Sequence, residues 1–306
     1  MKICYSRTRA GTALLLALLF ALTLAASAQV AEIAFSAPWG KSTGDVGLIK
    51  KEEMEVLGPI TFCTDGRNVF LLDSVRKRVL SAVPGGKTVV RAENVTGWDI
   101  CADGNGGFFI QEGPRIKHFN AKGKAGSPCL LKDKTGKSPK LIEGYGNEMF
   151  VDARGNLTVR AVDQKIHEVA GAKAAARSSG GGPELSFRIK RMLGNKIRIL
   201  GQDPDGKVLV SVKVKLDKGI PGVAIFKGRD SSGNLYVEIE SIRDGKAFLE
   251  VHRYSTDGKR LAVFPLSNDY VSTVYKKTQV APDGAVYQML TTPEGVRILR
   301  FEGGAK

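Results

Sequence analysis

Apolar residues recur at every second position along much of the chain, in short runs separated by Asp-Gly or glycine-rich turns. The stretch from Gly58 to Leu80, GPITFCTDGRNVFLLDSVRKRVL, shows the unit. It holds an apolar run, the Asp65-Gly66 turn, a second run through Val69, Leu71 and Leu72, a basic connection and a third run. A period of two puts alternate side chains on opposite faces of a strand, whereas a helix needs a period of 3.6. Asp-Gly predicts a hairpin because glycine takes positive φ at little cost and aspartate bonds its own backbone. Weaker copies follow around Asp103-Gly104, Gly155, Gly206, Gly233 and Asp283-Gly284. Residues 199–210 and 226–237 match each other best, sharing G-x-D-x-x-G ahead of alternating apolar positions.

The turn glycines Gly66, Gly104, Gly155, Gly206, Gly233 and Gly284 stand 38, 51, 51, 27 and 51 residues apart. A propeller blade of four strands repeats about every 40–50 residues. The pattern therefore predicts an all-β, six-bladed β-propeller, with the short interval as an uneven blade boundary. After the VRILRF run too little chain remains for another strand. The N-terminal run Ala31–Ser36 is expected to close the ring as the outer strand of the last blade, since an open array would need capping repeats.

Residues 1–28 read as a signal peptide. Lys2, Arg7 and Arg9 precede an uncharged run from Thr12 to Ala25, and Ala26-Ser27-Ala28 forms the small-residue cleavage pattern ahead of Gln29. The run falls short of the ~20 residues that span a bilayer. Residues 29–306 are expected to form a single exported propeller domain, periplasmic or secreted. Within it, 170–183 (AGAKAAARSSGGGP) is expected to be a mobile loop.

The repeats resemble the NHL-type six-bladed propellers, and the first copy carries the likeness. Gly58-Pro59 opens its first strand, Asp65-Gly66 makes the turn, and Leu72-Asp73 is followed by Arg78-Val79. In that family an aspartate ending the second strand pairs with an arginine opening the third, a role that the resemblance gives to Asp73 and Arg78. Trp39-Gly40, Gly47-Leu48 and Gly58-Pro59 are also similar to the lead-in of exported bacterial propellers of undefined activity. The likeness speaks to fold rather than chemistry.

Composition narrows the partners. The chain has 46 Lys and Arg against 31 Asp and Glu, and only three of the basic residues and none of the acidic ones lie in residues 1–28. Such an excess suits a protein with an acidic surface, an anionic polysaccharide or a lipid surface. Export and the lack of an aromatic-interleaved basic motif argue against nucleic acid. Basic clusters stand at 76–78, 132–140 and 188–198. Cys63, Cys101 and Cys129 remain after the signal. Cys63 and Cys101 share a position three before a turn glycine, either bridged or, as their apolar surroundings favour, buried as thiols.

Candidate chemistry is sparse. His118, His167 and His252 lie in third-strand runs at positions that do not share a face. Asp152, Asp203 and Asp230 recur three before a turn glycine and could ring one mouth of a central channel as ligands of a divalent cation. The competing role is to cap the turn through the side-chain oxygen. Trp98 and Tyr145, each after a glycine ahead of a first strand, and Arg229 are candidate ligand-binding residues. No cofactor beyond that cation is expected. No nucleophile elbow, zinc signature or phosphate loop is present. The expected function is a binding or scaffolding propeller. The alternative is a metal-dependent hydrolase or lyase on the channel, since some propellers of related fold are lactonases with an acidic metal site, lyases using His and Glu, or quinone-dependent dehydrogenases.

Overall fold

The computed structural model describes residues 31–130, 148–151, 156–160, 166–173, 186–203, 205–216 and 219–302. Among these residues every regular element is a β-strand, and the strands form six antiparallel sheets. The first sheet comprises Thr61–Thr64, Val69–Asp73, Arg78–Ala82 and Val89–Glu93. The second comprises Asp99–Ala102, Phe108–Glu112, Arg115–Phe119 and Cys129–Leu130. The third has Glu148–Val151, Asn156–Arg160 and Ile166–Lys173, and the fourth has Ser186–Arg191, Lys196–Gln202 and Val208–Lys215. The fifth runs through Ile220–Arg229, Leu235–Arg243, Lys246–Tyr254 and Arg260–Leu266. The sixth takes Thr278–Val280, Val286–Thr291 and Gly295–Phe301, with the N-terminal Glu32–Pro38 as its fourth, outer strand.

The alternation in sequence becomes a choice of neighbour. Val69 and Leu71 share a cluster with the sixth sheet's Tyr287, Met289 and Ile298. Phe70 and Leu72, pointing the other way, pack on Ile100, Phe108 and Ile110 of the second sheet. The second sheet's opposite face then carries Cys101, Phe109 and Ile116 against Met149, Leu157 and Val159 of the third. Ile197, Ile199, Val212 and Val214 of the fourth sheet meet Leu235, Val237 and Ile239 of the fifth. The fifth turns Tyr236, Val251 and Phe264 toward Val280, Val286 and Phe301 of the sixth. Burial on both faces explains why Val69–Asp73 is buried at every position instead of alternating with polar residues. First strands of the first and second, second and third, fifth and sixth, and sixth and first sheets touch, which is a propeller-like arrangement.

The N-terminal strand pairs with Gly295–Phe301 from Glu32↔Arg300 to Pro38↔Gly295 and sinks Ala34, Phe35 and Ala37 into the core shared with the first sheet. A Cβ at Gly295 would lie 2.2 Å from the Ala37 carbonyl oxygen, so a glycine is required for the two backbones to approach. The turn glycines Gly66, Gly104, Gly206, Gly233 and Gly284 all have positive φ; Gly155 lies outside the described residues.

Two expectations need correction. The Asp203 turn does not join the first and second strands of its sheet, as the Asp230 turn does; it joins the second and third. The third strand then passes within a few residues, through Leu216 to Gly219, into the first strand of the fifth sheet. That direct connection is the physical reason for the 27-residue interval. In addition, Ala170–Lys173 continues a strand instead of opening a loop, while 174–183 lies outside the described residues.

If the N-terminal strand is part of the core, Phe35→Ala should lower the unfolding free energy by about 3–5 kcal/mol in urea titrations. A loss within ~0.5 kcal/mol, the usual range for surface positions, would mean that the strand is not docked in solution.

Candidate functional site

Charged residues heading buried strands meet where the first strands begin. Asp99 opens the first strand of the second sheet and is 2% exposed. Its Oδ1 accepts the Thr61 hydroxyl at 2.6 Å and its own strand's Ile100 amide at 2.8 Å, and its Oδ2 accepts the Met149 amide at 2.6 Å. The Lys276 ammonium, from the approach to the sixth sheet, lies 2.5 Å from Oδ1 and donates to the Ile100 carbonyl at 3.1 Å. One carboxylate thus ties together the first, second, third and sixth sheets. A second pair reaches across in the same way: Lys227 of the fifth sheet donates to Glu148 Oε1 of the third at 3.1 Å. Thr278 donates to Glu238 on the fifth sheet's second strand. Both ion pairs join sheets that are not neighbours in sequence order.

Burial raises the Asp99 carboxyl, opposed by Lys276, the Thr61 hydroxyl and the Met149 amide. Burial also works against the Lys276 ammonium, yet Asp99, Glu148 and Cys101 outweigh it and hold that group above its ordinary range. Four donors on two oxygens favour the carboxylate and offset part of the cost of burying it. Taking both charges out of water offsets most of their attraction. The pair therefore contributes register between sheets more than net stability. Cys63 and Cys101 lie beside it, both buried and neither in a disulfide. Burial first, then the adjacent Cys101, pushes the Cys63 thiol well up, which keeps it in the inert form.

The residues singled out in the sequence are dispersed. Trp98 immediately precedes Asp99, is half-buried, and donates its backbone amide to Gln111. Arg229 stands at the opposite, C-terminal end of its first strand, where Nε reaches the Gly233 carbonyl at 3.4 Å and the guanidinium lies 5.9 Å from the Phe187 ring centroid. Tyr145 and Asp152 fall outside the described residues. Asp203 accepts the Asp205 and Lys207 amides. Asp230 accepts the Ser232 and Asn234 amides, the Asn234 side chain and the Tyr236 hydroxyl. Both have the geometry of turn caps. Asp103 makes the same turn, through the Asn105 and Gly107 amides and with Gly106 at positive φ. Asp103, not Cys101, is therefore the structural counterpart of Asp203 and Asp230. Among the described residues no three His, Cys, Asp or Glu side chains converge as metal ligands.

The first-repeat pair forms as the motif implies. Arg78 Nε lies 3.2 Å from Asp73 Oδ2 with both side chains buried, and the arginine also donates to the Thr43 and Asp45 carbonyls of the N-terminal lead-in. His118 bonds Asp103 at 2.8 Å and stacks on Phe109. His252 bonds Glu250 at 2.9 Å and Tyr254 at 2.8 Å, while Arg243 reaches the same Glu250 oxygen at 2.7 Å. Each of these histidines serves its own sheet; the His167 side chain is outside the described set.

No family model matches the chain, and no curated protein sequence matches it. Among solved structures it is similar to regucalcin, a calcium-binding protein from Agrobacterium tumefaciens, at 14% identity over 81% of this chain and 92% of that one, with a TM-score of 0.41. It is also similar to virginiamycin B lyase from Staphylococcus aureus (12% identity, 80% and 94% coverage, TM-score 0.36) and to a gluconolactonase from Xanthomonas campestris (13%, 90% and 89%, TM-score 0.33). Likeness at this level transfers no activity.

Asp99 and Lys276 were missed in the sequence because each looks like an ordinary charge beside a turn. The available signal was position: each stands at the head of, or just before, a strand whose following residues are apolar and buried.

Lys276→Met should cost about 3–5 kcal/mol, because it strands a buried carboxylate, and adding Asp99→Asn should restore part of that loss. A double variant no more stable than Lys276→Met would contradict the pairing. The His252 and Arg243 donors hold Glu250 down at about 2, below its ordinary 4.5. A depressed carboxylate contributes stability that is full above its unfolded value and disappears as pH falls through the folded one. Glu250→Gln should therefore flatten the acid limb of stability between pH 4.5 and about 2 in thermal melts.

Proposed function

We propose that this chain is an exported, NHL-like six-bladed β-propeller that acts as a binding or scaffolding module for a protein partner or an anionic envelope polymer. The observation that carries the reading is the state of the central charges. Asp99 receives four donors, Glu148 pairs with Lys227, and the described carboxylates of the turn series cap their own turns. Groups held in this way act as structural locks, whereas a general acid must have a proton to give, and a general base a lone pair to take one, within reach of substrate. Function then falls to the outer loops and faces, where a rigid sheet scaffold supports binding. The positive balance of the chain favours an anionic partner.

In this reading Glu32–Pro38 closes the ring, and cleavage before Gln29 delivers the mature domain outside the cytoplasm. N-terminal sequencing of the exported protein should begin at Gln29. A tagged mature chain incubated with an envelope fraction should retain a partner at about 50 mM salt and lose much of it at about 200 mM. No retained partner at either concentration would overturn the binding role. Stoichiometric metal in the purified protein, lost on substituting Asp152, Asp203 and Asp230, would instead favour the metal-dependent hydrolase or lyase.

A further inference from the structure

The fourth sheet has two faces of opposite character. On one, Ile189, Ile199 and Val212 form a row across three strands and pack toward the fifth sheet. On the other, the register sets Lys190 opposite Arg198 and Arg198 opposite Lys213, so that three cations stand abreast. Lys196 faces Lys215 in the next row on that face, and Arg188 joins the row of Leu200 and Ser211 on the other side. Six cations therefore occupy one face of three strands, SFRIKR, KIRILGQ and VLVSVKVK, whose sequences contain no Asp or Glu. Arg188, Lys190, Lys196, Lys213 and Lys215 are exposed and Arg198 is half-buried. Among the described residues none of the six has an ion-pair partner, and the Arg198 Nε is buried without an acceptor.

Like charges placed directly opposite on a sheet destabilise it. A protein that needed only a soluble basic surface would gain by spreading these residues or alternating their sign. A two-dimensional lattice of cations, ~4.8 Å apart across strands and ~6.7 Å apart along them, fits a chain that carries regularly spaced negative groups.

We propose that this face of the fourth sheet is a docking surface for a linear anionic polysaccharide lying across its cation rows. The inference rests on the binding role proposed above and names its ligand and its location. The face itself favours this occupant over others. Within the cation rows the one large apolar residue, Leu200, is buried, and the exposed Leu193, Val208 and Leu209 lie beyond the two ends of those rows, so the rows themselves hold no apolar side chain to insert into a lipid headgroup layer. It carries no aromatic ring on which a nucleobase could stack, since Phe187 belongs to the opposite face and stacks on Phe226. Regularly spaced charge, with no exposed apolar side chain among its rows, suits an extended, hydrated polymer.

The test measures affinity of the mature chain for polygalacturonate and heparin at about 50 and about 200 mM salt, beside phosphatidylglycerol vesicles and single-stranded DNA. Lys190→Gln/Arg198→Gln/Lys213→Gln removes the central row. Lys87→Gln/Lys122→Gln/Lys124→Gln removes the same charge from exposed loops elsewhere. The central-row variant should bind both polysaccharides at least about tenfold more weakly, with a shallower salt dependence, while the loop variant stays within about twofold of the parent. It should also melt at a higher temperature than the parent, because relieving like-charge contacts is stabilising, and this separates lost binding from lost folding. Equal losses in the two variants, or binding to vesicles or DNA but to neither polysaccharide, would overturn the proposal. If the central-row variant keeps parental affinity, the fourth-sheet site fails and the general binding role stands. If the parent retains no envelope partner at all, it is that role which fails.

Discussion

Small antiparallel sheets with two apolar faces have to be covered on both sides, and the rest of this structure follows from that requirement. A small sheet left with bare apolar faces would expose them to water, and burying them is the main favourable contribution to folding. Phe70 and Leu72 on one face of the first sheet and Val69 and Leu71 on the other need different neighbours, and they find the second and sixth sheets. The same division recurs in the second, fifth and sixth sheets, while the fourth turns one apolar face to the fifth and a charged face the other way. The packing of the sixth sheet back on the first removes an apolar face that a linear stack would leave bare. Placing the N-terminal strand on the outside of the sixth sheet ties the two ends of the described domain into one unit.

Apolar packing of this kind is tolerant of sliding, whereas the polar contacts at its centre are directional. Asp99 can satisfy its two oxygens only if Thr61, Met149 and Lys276 arrive together, each from a different sheet. Lys227 and Glu148 impose a second such condition. Because desolvation offsets most of the attraction in such pairs, their main effect is on which arrangement of sheets is chosen. The starts of the first strands are thus ordered by charge. The fourth sheet shows the opposite use of charge: cations that nothing among the described residues neutralises, arrayed on a rigid face.

Local chemistry was legible along the chain. Asp-Gly turns, positive-φ glycines, period-two runs and the Asp73–Arg78 pair all depend on residues within a few positions of one another, so their spacing specifies them. The turn capping by Asp230 was legible for the same reason, as an aspartate just ahead of the amides it accepts. The equivalence of turns was not. Asp203 and Asp230 share a motif, yet one turn follows a second strand and the other a first, because the motif encodes the hairpin and not its place in the sheet.

By itself, then, the sequence determined the strands, the tight turns, the excess of positive charge and the presence of a spare N-terminal strand, since each arises from short-range sterics or from composition. Only the tertiary structure decided that Lys276 meets Asp99 across 177 residues of chain, that Lys227 reaches Glu148, and that Lys190, Arg198 and Lys213 stand in one row. Those pairings depend on strand register and on which sheet packs against which. Both are set by the simultaneous burial of many apolar side chains, and no single stretch of sequence contains that information.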